Sequence, residues 1–163
     1  MAIQRGDTLG IQFNKKRWVH RLIRRHTYSD TVHIAIALTS TKCMEMHLGG
    51  LRVVNISKYK HIRVFRPPAV LRSRIDMAID QVYNEYRDAS YSRWQGIAQG
   101  IHRVTGLWMP FRKDDLANCS ETGARYNEIL GIPDIGDENM YDPGKLVDHI
   151  LIKGCIEQAE VFN

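Results

Sequence analysis

Pro67-Pro68 separates two kinds of pattern in this chain. Proline has no N–H to give to a sheet ladder and restricts the residue before it, so the pair ends any strand that reaches it. Before it, apart from one helical stretch, short apolar runs alternate in steps of two; after it, apolar residues recur every third or fourth position. Thr31 to Leu38 is the clearest strand: Val32, Ile34, Ile36 and Leu38 alternate with Thr31, His33, Ala35 and Ala37. Thr8–Phe13, Cys43–His47, Leu51–Asn55 and His61–Phe65 read as further strands, with a turn at Gly49-Gly50. Beyond the prolines, Leu71, Ile75, Ala78, Ile79, Val82 and Tyr86 mark a helix. A second helix opens at Cys119 and ends at Gly131-Ile132-Pro133, and a weaker one follows Pro143. The early helix is Lys16–His26, and a looser segment from Asp88 to Leu116 contains one expected over Trp94–Val104. Strands first and helices later give an α+β expectation, a small antiparallel sheet packed against helices, rather than alternating βαβ units.

The 163 residues fit one domain, 1–163, that can bury a core without disulfide staples. Three cysteines, an odd number, with no apolar leader in the first residues, predict free thiols and synthesis in the cytoplasm. No apolar run reaches the roughly 18 residues of a membrane span. The formal charge is +5, and Lys15, Lys16, Arg17, Arg21, Arg24 and Arg25 supply part of the excess. Segment 15–25 is therefore either a solvated helix face or a surface for an anionic partner. No zinc-finger, RNA-recognition or P-loop signature accompanies it, so sequence-specific nucleic-acid binding is not expected.

Asn118-Cys119-Ser120-Glu121 carries the chemistry. Asn118 is a good N-cap, and Glu121 three positions on completes a capping-box pattern. Cys119 then takes the first helical position, where free N–H groups and the helix dipole favour thiolate. The same N–H groups are expected to bind an oxyanion. A thiolate nucleophile needs a base and a group to orient that base. His33 is the candidate base; Ala35 and Ala37 share its strand face and are expected to leave room for the cysteine helix. Glu45 lies twelve residues after His33, the length of a hairpin that returns it to the same face. Its carboxylate would fix the imidazole tautomer. His47 points the same way and competes for that role. Cys43 and His47 lack metal-site spacing, so neither a metal nor another cofactor is expected. Tyr91, Trp94, Trp108 and Phe111 either line a groove or fill core.

The stretch VHIAIALTSTKCMEMHLGGLRVV, Val32–Val54, resembles the core hairpin of the NlpC-type papain-like cysteine hydrolases, and NCSETGARY, Asn118–Tyr126, resembles their cysteine helix. Here the histidine precedes the cysteine. That order is similar to the circularly permuted YiiX-like branch and the related lecithin:retinol acyltransferase group. RGDTLGIQF resembles the branch's opening strand, WVHRLIRRHTYSDTVHIAI its helix and histidine strand, and IRVFRPP the strand closing its sheet. ASYSRWQG resembles the segment whose tyrosine, here Tyr91, lies near the active site. The resemblance runs from Arg5 to about Leu130. Val32 before the histidine and Thr122-Gly123 within the cysteine helix depart from the family pattern. The resemblance implies a permuted papain-like fold and a Cys119–His33–Glu45 triad, with Tyr91 and His47 near substrate. It also implies a cysteine hydrolase cleaving an amide, as a peptidase or amidase on peptides such as those of peptidoglycan. A lipid-directed acyltransferase, phospholipase or thioesterase uses the same triad, and a non-catalytic binding module is the third alternative.

Overall fold

The computed structural model describes residues 2–13, 21, 24–25, 29–47, 49–91, 116–135 and 141–162. Six strands form one antiparallel sheet: β1 (Thr8–Gln12), β2 (Thr31–Ala37), β3 (Lys42–His47), β4 (Gly50–Asn55), β5 (His61–Arg66) and β8 (Ile156–Phe162). Their spatial order is β4-β3-β2-β1-β5-β8. A separate parallel pair joins β6 (Ser90–Tyr91) to β7 (Leu116–Ala117). Three α-helices are described over their whole length: α1 (Ile75–Tyr86), α2 (Cys119–Leu130) and α3 (Pro143–Ile152). The architecture is α+β. None of these helices is long and apolar enough to cross a membrane.

β2 is buried on both faces, and its period of two sorts the core. Ile34 and Ile36 face the helix layer; Ile34 packs with Ala124, Leu146 and Ile150, and Ile36 with Met44, Met46, Val82 and Tyr126. Ala35 and Ala37 face a second core of Leu9, Ile11, Ile62 and Val64, covered by Ile3, Ile56 and Tyr59. The small alanines therefore do not accommodate the cysteine helix, contrary to the sequence expectation. They lie under the segment 56–59, and the isoleucines meet the helix.

Close contact between α2 and β2 comes from Gly123. A Cβ there would stand 2.6 Å from Ile34 Cγ2 and 3.0 Å from Leu146 Cδ2, distances that no side chain tolerates without movement. Gly123 is thus what lets the helix lie against the strand. Two bonds lock the approach: Tyr126 Oη donates to Gly6 O at 2.8 Å, and Asn127 Nδ2 donates to Thr8 Oγ1 at 3.3 Å. Arg125 ties α2 to α1 through Glu85, at 2.8 and 2.9 Å.

The helix starting at Leu71 begins as a 3-10 turn, Ala69–Arg74, before the α-helix takes over at Ile75. The strand resembling a closing strand is not the sheet's edge. β8 pairs beyond β5, from Arg66↔Ile156 to His61↔Phe162, with an irregularity between Ile62 and Val64. That irregularity breaks the period of two, and Ile156 is exposed, so β8 carries no clean alternation to read.

Candidate functional site

Asn118 caps α2 as its sequence suggests. Its Oδ1 accepts from Ser120 N and Glu121 N, both at 2.9 Å, and its backbone is extended. Such a cap is worth about 1 kcal/mol. It also uses two of the amides expected to hold an oxyanion, and Thr122 N goes to Asn118 O. Of the first-turn donors, the N–H of Cys119 itself pairs with no described residue. The expected cluster of free amides is therefore reduced to one.

Cys119 is nearly fully buried. Burial alone would raise its pKa. The charge and hydrogen bond of His33, the Ile34 amide and the Ser120 hydroxyl outweigh burial and hold it below the ordinary thiol value. The other two thiols lack such partners: burial pushes Cys43 up to about 12 and Cys155 up to about 11, with the Glu45 carboxylate adding to the effect on Cys43. The capping pattern already singles out Cys119 in the sequence; the neighbours in space add His33, which neither Cys43 nor Cys155 has.

His33 Nε2 lies 2.5 Å from Glu45 Oε2. That leaves Nδ1 as the ring nitrogen for Cys119. Burial lowers the basicity of His33, but the Cys119 thiolate and the Glu45 carboxylate outweigh it and raise the imidazole's pKa. An imidazolium between two anions is the state this arrangement favours.

Glu45 is fully buried, yet it is held as an anion. Burial would raise its pKa; hydrogen bonds and charge from His33, Tyr59 and Arg52 hold it far below the carboxylate range. Tyr59 Oη donates to the same Oε2 that meets His33. Arg52 Nε and Nη2 both donate to Oε1, at 2.9 and 2.7 Å, and Lys58 Nζ stands 3.4 Å from it. A buried carboxylate without such donors would protonate and lose its hold on the ring.

Hairpin register puts Arg52 there: Glu45 and Arg52 are direct cross-strand partners. A turn centred on Gly49-Gly50 would have set Glu45 opposite Val54. Instead Gly50 already belongs to β4, paired with His47, with φ of +98°. His47 sits at the strand end, half-buried, and its imidazole has no hydrogen-bond partner among the described residues. Burial and the nearby Arg52 lower its pKa. The structure thus brings together Cys119, His33 and Glu45, and leaves His47 beside them. Arg52, Tyr59 and Lys58 were not legible as site residues. Arg52 depended on a register set by one residue of turn placement, and Tyr59 reaches Glu45 from outside any strand.

The backbone of Tyr91 pairs with Ala117, two residues before Cys119. Its side chain, and Trp94, Trp108, Phe111 and the helix expected over Trp94–Val104, lie outside the described residues. So do Lys15, Lys16 and Arg17. Arg21, Arg24 and Arg25 are helical and exposed. Arg24 is engaged: its Nε lies 2.8 Å from Asp30 Oδ1, and its guanidinium covers the Phe13 ring at 4.7 Å. Compared with protein-family models and with the curated proteins, the chain matches none.

Proposed function

We propose that this chain is a cysteine-dependent acyl hydrolase of circularly permuted papain-like fold, cleaving an amide bond as a peptidase or amidase. One observation carries the reading: His33 is bonded to the buried Glu45 carboxylate and paired with a Cys119 whose thiol is made more acidic at a helix N-terminus. The histidine strand preceding the cysteine helix supports the permuted order.

In this reading the Cys119 thiolate attacks the substrate carbonyl carbon, and the C=O electron pair moves to oxygen. The Cys119 N–H donates to that oxyanion. Collapse of the intermediate expels the leaving amine, which takes the proton from His33. Water then loses a proton to His33, attacks the thioester and releases the acid with regeneration of the thiolate. Glu45 stays ionised throughout and holds the ring; Arg52 and Tyr59 hold Glu45.

The test is acyl transfer to the thiol. The protein is incubated with N-acyl peptides, small p-nitrophenyl esters and phospholipid vesicles, then analysed by intact mass and peptide mapping. An acyl adduct on Cys119 with turnover of at least one class, lost in Cys119→Ser and His33→Asn, is the expected result. Turnover confined to phospholipid would replace the amidase with the lipid-directed reading. Neither adduct nor turnover with any class, in folded protein, would leave a binding module.

A further inference from the structure

At the β4 edge of the sheet a concavity of about 650 Å³ is lined by Lys42, Val53, Val54, Asn55, Ser57 and Lys58. Its lining holds two ammonium groups, one hydroxyl, one amide and an apolar wall, and no carboxylate. Lys42 stands opposite Asn55 in the β3–β4 ladder, and the 3-10 turn Ile56–Lys58 follows directly from β4. Among the described residues, the Lys42 ammonium, the Ser57 hydroxyl and the Asn55 side chain have no polar partner. Lys58 has one, Glu45 Oε1, at the long distance of 3.4 Å, and that oxygen already accepts two shorter bonds from Arg52. The charge of Glu45 is met by Arg52 and His33, so Lys58 is the weakest-held member of its cluster and keeps N–H groups to spare. Val53 is half exposed although apolar, and it forms part of the wall.

We propose that this concavity is a binding site for a doubly charged oxyanion on an apolar stem, such as a phosphate monoester. Lys42 and Lys58 would meet the two negative charges, Ser57 and Asn55 would donate to the remaining oxygens, and Val53 and Val54 would cover the stem. The site shares only Lys58 with the Glu45 cluster and holds its ligand whether or not Cys119 is a nucleophile. The lining carries two cations and no acid of its own, so the ligand charge it favours is negative.

Amide NMR titration of the whole chain at constant ionic strength tests this. The probes are inorganic phosphate, phenyl phosphate, benzoate and chloride. Saturable shifts at Ser57 and Lys58 are expected with both phosphates, at least threefold tighter for phenyl phosphate than for phosphate, and tighter than for benzoate. Lys42→Gln should weaken phenyl phosphate at least fivefold while leaving the shifts around Cys119 unchanged, and Lys42→Arg should largely restore it. Lys58→Gln should weaken it as well; if that variant unfolds through its tie to Glu45, the Lys42 pair decides. Shifts that rise linearly, that chloride reproduces, or that persist undiminished in Lys42→Gln would overturn the proposal. Benzoate binding more tightly than phenyl phosphate would overturn the assignment of a dianion.

Discussion

The carboxylate of Glu45 meets the imidazole of His33 at 2.5 Å, and it does so from a fully buried position on the next strand. A buried anion there is stable only because Arg52, Tyr59 and Lys58 bind it too. Orientation of the base thus rests on residues three contacts away from the thiol.

Glu45→Gln removes the charge but keeps the shape. It leaves Arg52 and Lys58 without their anion and turns the His33 contact into a neutral one. We expect a rate loss of about 10²–10⁴-fold for the proposed hydrolysis, in the range seen when an orienting carboxylate is neutralised. A stability loss of about 3–5 kcal/mol should accompany it, as for a broken buried pair. His47→Gln should cost less than about 1 kcal/mol and less than tenfold in rate. Urea melts and steady-state rates on both variants check this; a larger effect at His47 would reassign the third member.

Gly123→Ala places a methyl carbon 2.6 Å from Ile34 Cγ2. The helix must shift away from β2, which carries His33. We expect about 1–3 kcal/mol of destabilisation and slower alkylation of Cys119 in the folded protein. Combining it with Ile34→Ala should give less than the sum of the single losses, because the contacting atom is gone. Additive losses would show that the helix does not depend on this contact.

The pH dependence follows from the directions of the shifts. Glu45 has a lowered pKa, so its contribution to stability is full above its unfolded value of 4.5 and is lost as pH falls through the folded value. His33 has a raised pKa, so its contribution is full below its unfolded value of 6.5 and is lost as pH rises through the folded one. Cys119→Ala removes the leading cause of that rise. NMR titration of the His33 ring should therefore give a lower pKa in Cys119→Ala than in the native chain; an unchanged value would mean that the thiol and the ring are uncoupled.

The site's members were legible where chemistry coincides with local pattern. Asn118, Cys119 and Gly131 announce a capped helix, and the alternation around His33 announces a strand. Glu45 was legible because a hairpin of known length has few ways to return. Which face of β2 meets the helix was not, since Ile34 and Ala35 are both buried and the period of two cannot rank two cores. Nor was the shell around Glu45, because it depends on the register between His47 and Gly50 and on a turn at 56–58. β8 was missed because its pairing with β5 is irregular.

The basic segment predicts salt-sensitive binding to an anionic surface. Arg24 is held by Asp30 and the Phe13 ring, so its reversal would also break a local tie, whereas Arg21 and Arg25 are exposed on the same segment and serve as the probe. Arg21→Glu with Arg25→Glu should abolish binding to anionic vesicles or cell wall and leave small-ester hydrolysis intact. Binding should also fade as salt rises, since screening acts over about 8 Å at physiological ionic strength. Vesicle flotation at low and moderate salt measures it, with duplex DNA as the comparison; binding independent of salt or charge reversal would assign the segment to an ordinary solvated face.

The most direct test of the Cys119–His33 pair is the pH dependence of iodoacetamide alkylation, followed thiol by thiol by peptide mapping. Cys119 should react faster than Cys43 and Cys155 at neutral pH. Its rate should already be at plateau well below the pH of about 8.5 at which a free thiol ionises. His33→Asn should move that rise upward toward the free-thiol value. A Cys119 rate that climbs only through the free-thiol range in the native chain, or labelling led by Cys155, would contradict the ion pair on which the account rests.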